Sequence, residues 1–595
     1  MKIIGINAFG QNPSACLVID KELKGFSHEE RFNRQKCSHG IFPINTIKWL
    51  LKSNQLNLGD IDYIVFNWDC QKYPIRELLN LGFQRLKIEF SAFEKPQKKY
   101  KFQFQNRGGI IDYFRLYSPD NIRQKISEEL SILGNDKIPK IEFVNHHLCH
   151  AYQAYCHSPF SDAIILVADG HGEESTISGY SVVNSEFRKI LDYKVPFSLG
   201  WFYAGMTSYL GFNANRDEGK LMGLAAYGES RKENNPWINY LNNIVSVSNN
   251  KLLINPYFFK IGSHNVSPYY TDFLVDYITT YDLELKPIKQ FKDGNKYLAS
   301  NYIDLAYATQ YKLEEALVFI VKELIRKTNL KKLCIAGGLG LNCKANKTIF
   351  TECGLEDIFI HPASSDDGSS IGAAFYLSSQ FDGLVKSPLN NANYGASFSN
   401  DEIEKVLKNC GVKYHKPNDI CKETATLLNN NQIIGWFQGR SEMGARALGA
   451  RSIIANPFDV KIKDKINKDV KYREEWRPYC PSLLSEFADK YLKDSTDSKY
   501  MILACEAKTE LKEKAPAVVH VDNTVRPQCV KKEDVPIWHN LLSEFNALSD
   551  TPVLLNTSFN VRGEPIVNSP LDAIRTYYST GLDSLVIGDF IITKK

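Results

Sequence analysis

The run AIILVADGHG at residues 163–172 decides the fold. Its first six residues are apolar, and Asp169 follows them at the head of a glycine turn. An apolar run of this length, bounded by turn formers, predicts a buried strand. A carboxylate at the C-terminal end of such a strand is typical of α/β binding sites. The run 358–361 is similarly followed by Asp366-Asp367-Gly368, and the run 333–336 by Gly337-Gly338.

Further strands and helices are predicted on both sides of this run. Strand patterns occupy residues 2–6, 15–19 and 140–144, and apolar spacing predicts a helix over 303–327. The stretch 384–400 is polar and rich in turn formers, and after it helix and strand patterns alternate at 401–408, 432–437 and 552–556. We therefore predict an α/β protein with domains at 1–385 and 394–595 and no internal sequence repeat.

Length and composition exclude several classes of protein. The 595 residues exceed the roughly 250–300 that one core supports. Lys and Arg number 72 against 68 Asp and Glu, which leaves a net charge of +4 and argues against a nucleic-acid partner. The 13 cysteines form no CxxC pair. Asn7, Gln11 and Asn12 interrupt the apolar stretch that a signal peptide would need at the N-terminus. We expect a soluble cytoplasmic protein without a membrane partner, and we interpret the basic stretch 95–101 as a solvated loop rather than a nucleic-acid or substrate contact.

Two histidines and two aspartates form a candidate metal site. His146 and His150 are four residues apart, so on a helix both imidazoles project from one face. Together with Asp169 and Asp366 they form a donor set that suits iron(II), manganese or zinc. Surface or core histidines are the alternative for the HxxxH spacing by itself.

Basic residues in the C-terminal part predict a phosphate site. Arg440, Arg446 and Arg451 lie within a dozen residues rich in glycine turns, and guanidinium groups match phosphate oxygens two at a time. A second cluster follows at 471–477, where Glu474 and Glu475 leave a solvated helix face as the alternative. The strand 554–558 ends in polar side chains that can stand beside these cations.

The motifs together resemble the carbamoyltransferase family, the group of nodulation protein U and the cephamycin, novobiocin and tobramycin O-carbamoyltransferases. The resemblance covers nearly the whole chain, in the family's order. The motifs that carry it are EERFNRQK (29–36), HHLCHA (146–151), VADGHGE (167–173), KLMGLAAYG (220–228), IAGGLGLNCKAN (335–346), HPASSDDGSSIGAA (361–374), GWFQGR (435–440), INKDVKYREEWRPYCPS (466–482) and LLNTSFNVRGEPIV (554–567).

The resemblance implies a fold and a set of site residues. The N-terminal domain would have the actin-like ATPase fold shared with the tRNA threonylcarbamoyl transferases, and the C-terminal domain would be of the YrdC type. An iron-type metal would be held by His146, His150, Asp169 and Asp366. Lys36, Gly337, Gly338 and Asn342 would lie near the nucleotide. Arg446, Lys471, Arg477 and Ser558 would hold carbamoyl phosphate, with Arg473 and Asn560 nearby.

The resemblance also implies a two-step activity. Carbamoyl phosphate and ATP would give carbamoyl adenylate, and the carbamoyl group would pass to a hydroxyl of a small natural product. The implied cofactors are Fe²⁺ or another divalent metal and ATP, with carbamoyl phosphate as co-substrate. Acceptor contacts are expected from the poorly matched segments 79–121 and 234–295, and a homodimer is an open option.

One position departs from the family's pattern. The family carries His-Asp in the turn after the first strand, where the histidine is the natural general base, but here Gln11 and Asn12 occupy that turn. An amide does not accept a proton near neutral pH. Three explanations of the missing histidine stay open. Another residue is the base, with His171 and His39 as candidates; or the acceptor is an amine; or the chain is a degenerate nucleotide-binding member of the family without transfer activity.

A nucleic-acid base as acceptor, as in a tRNA-modifying enzyme, is a further alternative. The near-neutral charge and the lack of a basic stripe argue against it. Hydrogenase-maturation carbamoyltransferases use related domains, but they need CxxC pairs and the opposite domain order.

Overall fold

The computed structural model describes residues 1–70, 104–105, 118–134, 137–262, 267–289, 295–493 and 497–594. The stretch 95–101 lies outside these ranges, as do most of 79–121 and part of 234–295. No helix in the described ranges is long and apolar enough to cross a membrane.

The strands of the described chain are numbered in chain order. They are β1 (Lys2–Asn7), β2 (Ser14–Ile19), β3 (Glu22–His28), β4 (Tyr63–Phe66), β5 (Phe104–Gln105), β6 (Lys140–Phe143), β7 (Ala163–Ala168), β8 (Ser175–Val183), β9 (Glu186–Lys194), β10 (Val245–Ser248), β11 (Lys251–Ile254), β12 (Ile261–Gly262), β13 (Lys332–Ala336), β14 (Asp357–Ile360), β15 (Ile434–Phe437), β16 (Arg451–Ala455), β17 (Cys480–Leu484), β18 (Leu492–Lys493), β19 (Cys505–Ala507), β20 (Thr524–Val525), β21 (Gln528–Val530), β22 (Val553–Ser558), β23 (Ser584–Ile587) and β24 (Phe590–Thr593).

The α-helices of the same ranges are numbered likewise. They are α1 (Glu30–Asn33), α2 (Ile44–Ser53), α3 (Pro119–Ser131), α4 (His146–His157), α5 (Leu199–Tyr209), α6 (Glu218–Ala225), α7 (Trp237–Tyr240), α8 (Asp272–Tyr281), α9 (Ser300–Thr328), α10 (Cys343–Glu352), α11 (Asp366–Asp382), α12 (Asn400–Asn409), α13 (Ile420–Asn429), α14 (Lys461–Ile466), α15 (Ala488–Tyr491), α16 (Thr509–Lys514), α17 (Pro536–Ser549) and α18 (Pro570–Tyr578). A π-helical turn, Asn467–Lys471, follows α14.

Two five-stranded sheets in the N-terminal part share one topology. The first has the order β3-β2-β1-β4-β6 and the second the order β9-β8-β7-β13-β14. In each sheet the first three strands along the chain are antiparallel neighbours, and the last two run parallel to the first. The structure therefore contains a repeat that the residue sequence does not reveal, and its duplicated sheets agree with the expected actin-like ATPase arrangement.

Helices α4 and α11 form the layer between these sheets. Helix α11 packs against β1 and β2, α4 packs against β7 and β13, and the two helices pack on each other. Gly372 allows this close approach, because a Cβ there would lie 1.7 Å from the carbonyl oxygen of Cys149. Because His146 begins α4 and Asp366 begins α11, the packing brings both predicted metal ligands to one end of the layer.

The C-terminal part is built on a seven-stranded mixed sheet of order β21-β17-β22-β16-β15-β23-β24. Arg34, in the N-terminal part, donates to the carbonyl oxygen of Ile566 at 2.7 Å, and Asn346 donates to that of Ile502 at 2.7 Å. Buried residues such as Met501 join the core of the N-terminal sheets. The two parts are thus in direct contact.

The predicted α/β class is confirmed. The run 163–168 is β7, the helix predicted over 303–327 is α9, and no sheet described here combines strands from both sides of the 384–400 stretch. The ranges 1–385 and 394–595, and the YrdC type of the second domain, stay predictions.

Candidate active site

The four predicted metal ligands converge. One ligand atom from each of His146, His150, Asp169 and Asp366 lies within 4.8 Å of the other three. The Nε2 atoms of the two histidines are 3.2 Å apart, and they lie 3.3 and 3.5 Å from Oδ2 of Asp169. Two imidazole nitrogens and two carboxylates facing one another across such distances form a donor set for a divalent cation.

Hydrogen bonds on the far side of each imidazole orient these ligands. Nδ1 of His146 lies 3.3 Å from the carbonyl oxygen of Asn67, and Nδ1 of His150 lies 3.1 Å from Oε1 of Gln153. With Nδ1 donating to these oxygens, each Nε2 would supply the lone pair that a bound cation takes. Glu173 supports the arrangement by accepting hydrogen bonds from the backbone N–H of His146. The donor set and its supports fit a metal.

Electrostatics within the cluster point to the same conclusion. Burial alone disfavours the imidazolium, but the hydrogen bond to Asp169 and the charge of Asp366 outweigh it and raise the pKa of His146 to about 9. Burial and the charge of Asp169 raise the pKa of Asp366 to about 8. These shifts favour the protonated forms of His146 and Asp366 without a cation, and a bound cation would displace those protons.

A single cavity of about 370 Å³ joins this cluster to the C-terminal part. Its walls contain eleven of the sixteen predicted site residues: Gln11, Lys36, Asp169, His171, Gly338, Asn342, Asp366, Arg446, Arg477, Ser558 and Asn560. The other five, His146, His150, Gly337, Lys471 and Arg473, do not line it. His146, His150, Gly337 and Lys471 each contact a residue that does.

Gly337 and Gly338, two of the predicted nucleotide residues, lie beside the cluster. Gly337 has φ +91°, and a Cβ there would lie 2.4 Å from the carbonyl oxygen of Ala168, so only glycine fits. The N–H of Gly338 donates to Oδ1 of Asp169 at 3.2 Å. Asn342 caps α10 and pairs through its amide with Gln310. Its side chain is therefore already engaged with the protein.

Lys471 is the centre of the C-terminal basic cluster. Its buried ammonium donates to the carbonyl oxygen of Ser558, and to Oδ1 of Asn560 at 2.9 Å. Burial, together with the positive charges of Arg473 and Arg477, holds its pKa well below its ordinary value. Neutral oxygens alone hold this cation in the described structure, which is the electrostatic signature of an anion site.

Arg446, Arg477 and Arg526 complete the cluster. Burial and the nearby Arg526 lower the pKa of Arg446 to about 10, and Nε of Arg446 is buried without a hydrogen-bond partner in the described structure. Burial also lowers the pKa of Arg477 to about 10. The sequence analysis missed Arg526, because this residue is far from Arg446 along the chain and no local pattern relates the two.

Arg440 and Arg451 do not belong to this cluster, contrary to the expectation for the 435–451 segment. Arg440 donates to the carbonyl oxygens of Gly395 and Lys24. Arg451 is fully buried over the ring of Phe437 and donates to four backbone carbonyl oxygens. Both guanidinium groups therefore hold the fold together, and of the three arginines only Arg446 reaches the cavity.

The turn that lacks the family's His-Asp pair lies at the cavity wall. Asn7 holds it by donating to the carbonyl oxygens of Gln11 and Asn12 at 2.7 and 3.0 Å. His171 lines the same cavity, with the ring of Trp201 at 4.9 Å. A further histidine, His28, also lines it and was missed, since nothing in the sequence places it near a carboxylate.

Comparison with known proteins identifies the family. The family model for the carbamoyltransferase N-terminus matches residues 2–375, and the model for the carbamoyltransferase C-terminus matches residues 425–594. An uncharacterized protein of Synechocystis is 33% identical, covering 100% of this chain and 96% of its own length. Nodulation protein NolNO of Sinorhizobium fredii is 31% identical, and the match covers 99% of this chain and 80% of that protein. The chain belongs to the carbamoyltransferase family.

Among solved structures, component A of the Acidaminococcus fermentans (R)-2-hydroxyglutaryl-CoA dehydratase covers 63% of this chain and 97% of its own, at 12% identity and a TM-score of 0.31. This likeness adds nothing to the topology described above.

Proposed function

We propose that this carbamoyltransferase makes carbamoyl adenylate from carbamoyl phosphate and ATP and transfers the carbamoyl group to a hydroxyl of a small molecule. The observation that carries the proposal is the single cavity, whose wall includes two carboxylates of the metal cluster and two arginines of the basic cluster. A reactive mixed anhydride made at one end can reach the other without release, which protects it from bulk water.

Adenylate formation is assigned to residues 394–595. Arg446, Lys471, Arg477 and Ser558 hold carbamoyl phosphate. One water takes up its phosphoryl group to give inorganic phosphate and carbamate, and the carbamate attacks the α-phosphorus of ATP and expels pyrophosphate. Several cations are needed there because the reacting groups bring a dense negative charge together. The pyrophosphate and phosphate are released, and no covalent bond to the protein forms.

Carbamoyl transfer is assigned to residues 1–385. Lys36 and the backbone around Gly338 orient the adenylate beside the cluster of His146, His150, Asp169 and Asp366. A divalent cation bound there, Fe²⁺ or a similar ion, would offset the charge of the adenylate phosphate and make AMP a better leaving group. The acceptor hydroxyl attacks the carbamoyl carbon within the same cavity.

Pyrophosphate release tests the proposal directly. The purified protein is given ATP and Fe²⁺ without an acceptor, and carbamoyl phosphate is added last. Release that depends on carbamoyl phosphate is the expected result, with phosphate alone as the matched control ligand. Folded, metal-loaded protein that releases no pyrophosphate under these conditions would refute the adenylating activity.

A further inference from the structure

His28 occupies the place beside the turn from which the family's usual histidine is missing. It is the last residue of β3, and its register partner on β2 is Ser14, which directly follows the Gln11–Pro13 turn. The side chain lines the cavity together with that turn and Asp366. A histidine from a different strand thus reaches the same wall of the same cavity.

A carboxylate orients this histidine. Nε2 of His28 lies 2.7 Å from Oδ2 of Asp367, and the two residues are 8% and 5% exposed. Asp367 is held in turn, because Oγ of Ser14 donates to its backbone carbonyl oxygen at 2.5 Å. When Nε2 carries the proton toward the carboxylate, Nδ1 is left as a proton acceptor, and it has no hydrogen-bond partner within the described ranges.

We propose that His28, positioned by Asp367, is the general base of the transfer step. The inference rests on the proposed function and adds to it the residue that the substitution of Gln11 leaves open. Asp367 directly follows the proposed metal ligand Asp366 at the start of α11. The pair of His28 and Asp367 is therefore next to the site that we assign to the adenylate phosphate. The Asp367 carboxylate stabilises the imidazolium that forms as the proton arrives.

The acceptor oxygen forms a bond to the carbamoyl carbon while its proton moves to Nδ1 of His28. The bond between that carbon and the phosphate oxygen breaks, and its electron pair leaves with AMP. The imidazolium then returns the proton to solvent, so that the products are the carbamate ester, AMP and a proton.

Water and hydroxylamine serve as probe nucleophiles because the acceptor is unidentified. Water needs a base to react, whereas hydroxylamine is a neutral nucleophile at mildly alkaline pH and gives hydroxyurea without one. His28→Gln is expected to keep pyrophosphate formation in the first turnover and hydroxyurea formation with hydroxylamine. Release of AMP with water is expected to fall by about 10²–10⁴-fold, the usual contribution of a positioned base.

The outcomes distinguish failure of the proposed function from failure of the assignment of His28 as general base. Wild-type protein that forms no pyrophosphate refutes the proposed function, and the inference falls with it. Normal pyrophosphate formation with equal AMP release by the wild type and His28→Gln refutes the base alone, and a selective loss in His171→Gln would assign the role to His171 instead. His415→Gln is the matched control, since His415 is exposed and lies outside the cavity wall.

Asp367→Asn tests the positioning role. It should lower AMP release with water while hydroxyurea formation and metal content stay unchanged, a pattern that general misfolding would not produce. It also supplies the test if His28→Gln fails to fold. Loss of hydroxyurea formation by a folded, metal-loaded Asp367→Asn protein would overturn the positioning role.

Discussion

Lys471→Met is the sharpest test of the anion site, because the structure predicts opposite effects on stability and on activity. The ammonium contacts Oγ of Ser558 at 3.3 Å, and the carbonyl oxygen and Oδ1 of Asn560 at 3.1 and 2.9 Å. In the described structure it has no salt-bridge partner. Removing one hydrogen-bond donor that stabilises charge in a transition state costs about 2.7–4 kcal/mol, or about 10²–10³ in rate, and we expect at least this loss for Lys471→Met.

We do not expect the stability of the ligand-free Lys471→Met variant to fall as its activity does. The pKa of Lys471 is lower in the folded protein than in the unfolded chain, so the folded state binds this proton less tightly. Stability therefore rises with pH through this group, and burial of Lys471 without an anion costs folding free energy at neutral pH. We expect the ligand-free variant to melt at or above the wild-type temperature, and carbamoyl phosphate to raise Tm in the wild type alone.

The assay pairs thermal melting with pyrophosphate release at varied carbamoyl phosphate. Lys468→Met is the matched control, because Lys468 is exposed on the same π-helical turn. A carbamoyl phosphate kcat/KM for Lys471→Met within about threefold of the wild-type value, or about 0.7 kcal/mol, would refute the reasoning.

The remaining predictions concern the N-terminal part. His150→Ala should lose bound metal, measured by elemental analysis, and AMP release, but keep carbamoyl-phosphate-dependent pyrophosphate formation; unchanged metal content would contradict the ligand assignment. Gly337→Ala should lower Tm far more than Gly354→Ala, because both residues have positive φ but only at Gly337 would a Cβ meet the Ala168 carbonyl. Burial raises the pKa of Glu218 to about 7, so its contribution to stability is complete below the unfolded value and is lost as pH rises through about 7. Glu218→Gln should therefore raise Tm more above pH 7 than in mild acid; an equal gain at both would show that Glu218 is ionised throughout.

Local pattern was sufficient for the elements and for the placement of the two histidines of the candidate metal cluster. The apolar run before Asp169 is β7, and the four-residue spacing of His146 and His150 puts both imidazoles on one face of α4. These inferences succeeded because they depend on periodicity and on neighbouring residues alone. Lys471 was likewise assigned through a motif, and its buried, uncompensated charge agrees with that assignment.

Only the tertiary structure decided which of these residues meet. Arg440 and Arg451 looked like phosphate ligands beside Arg446, yet they satisfy backbone carbonyl oxygens that the local chain does not reveal. The repeated sheet order escaped detection because strand order is a property of backbone pairing and needs no similar residues. The pair of His28 and Asp367 joins residues 339 positions apart. The sequence by itself determined the chemistry that each segment carries, whereas the packing of α11 against the first sheet determined which groups share one cavity, since contacts between distant segments follow from burial and not from local spacing.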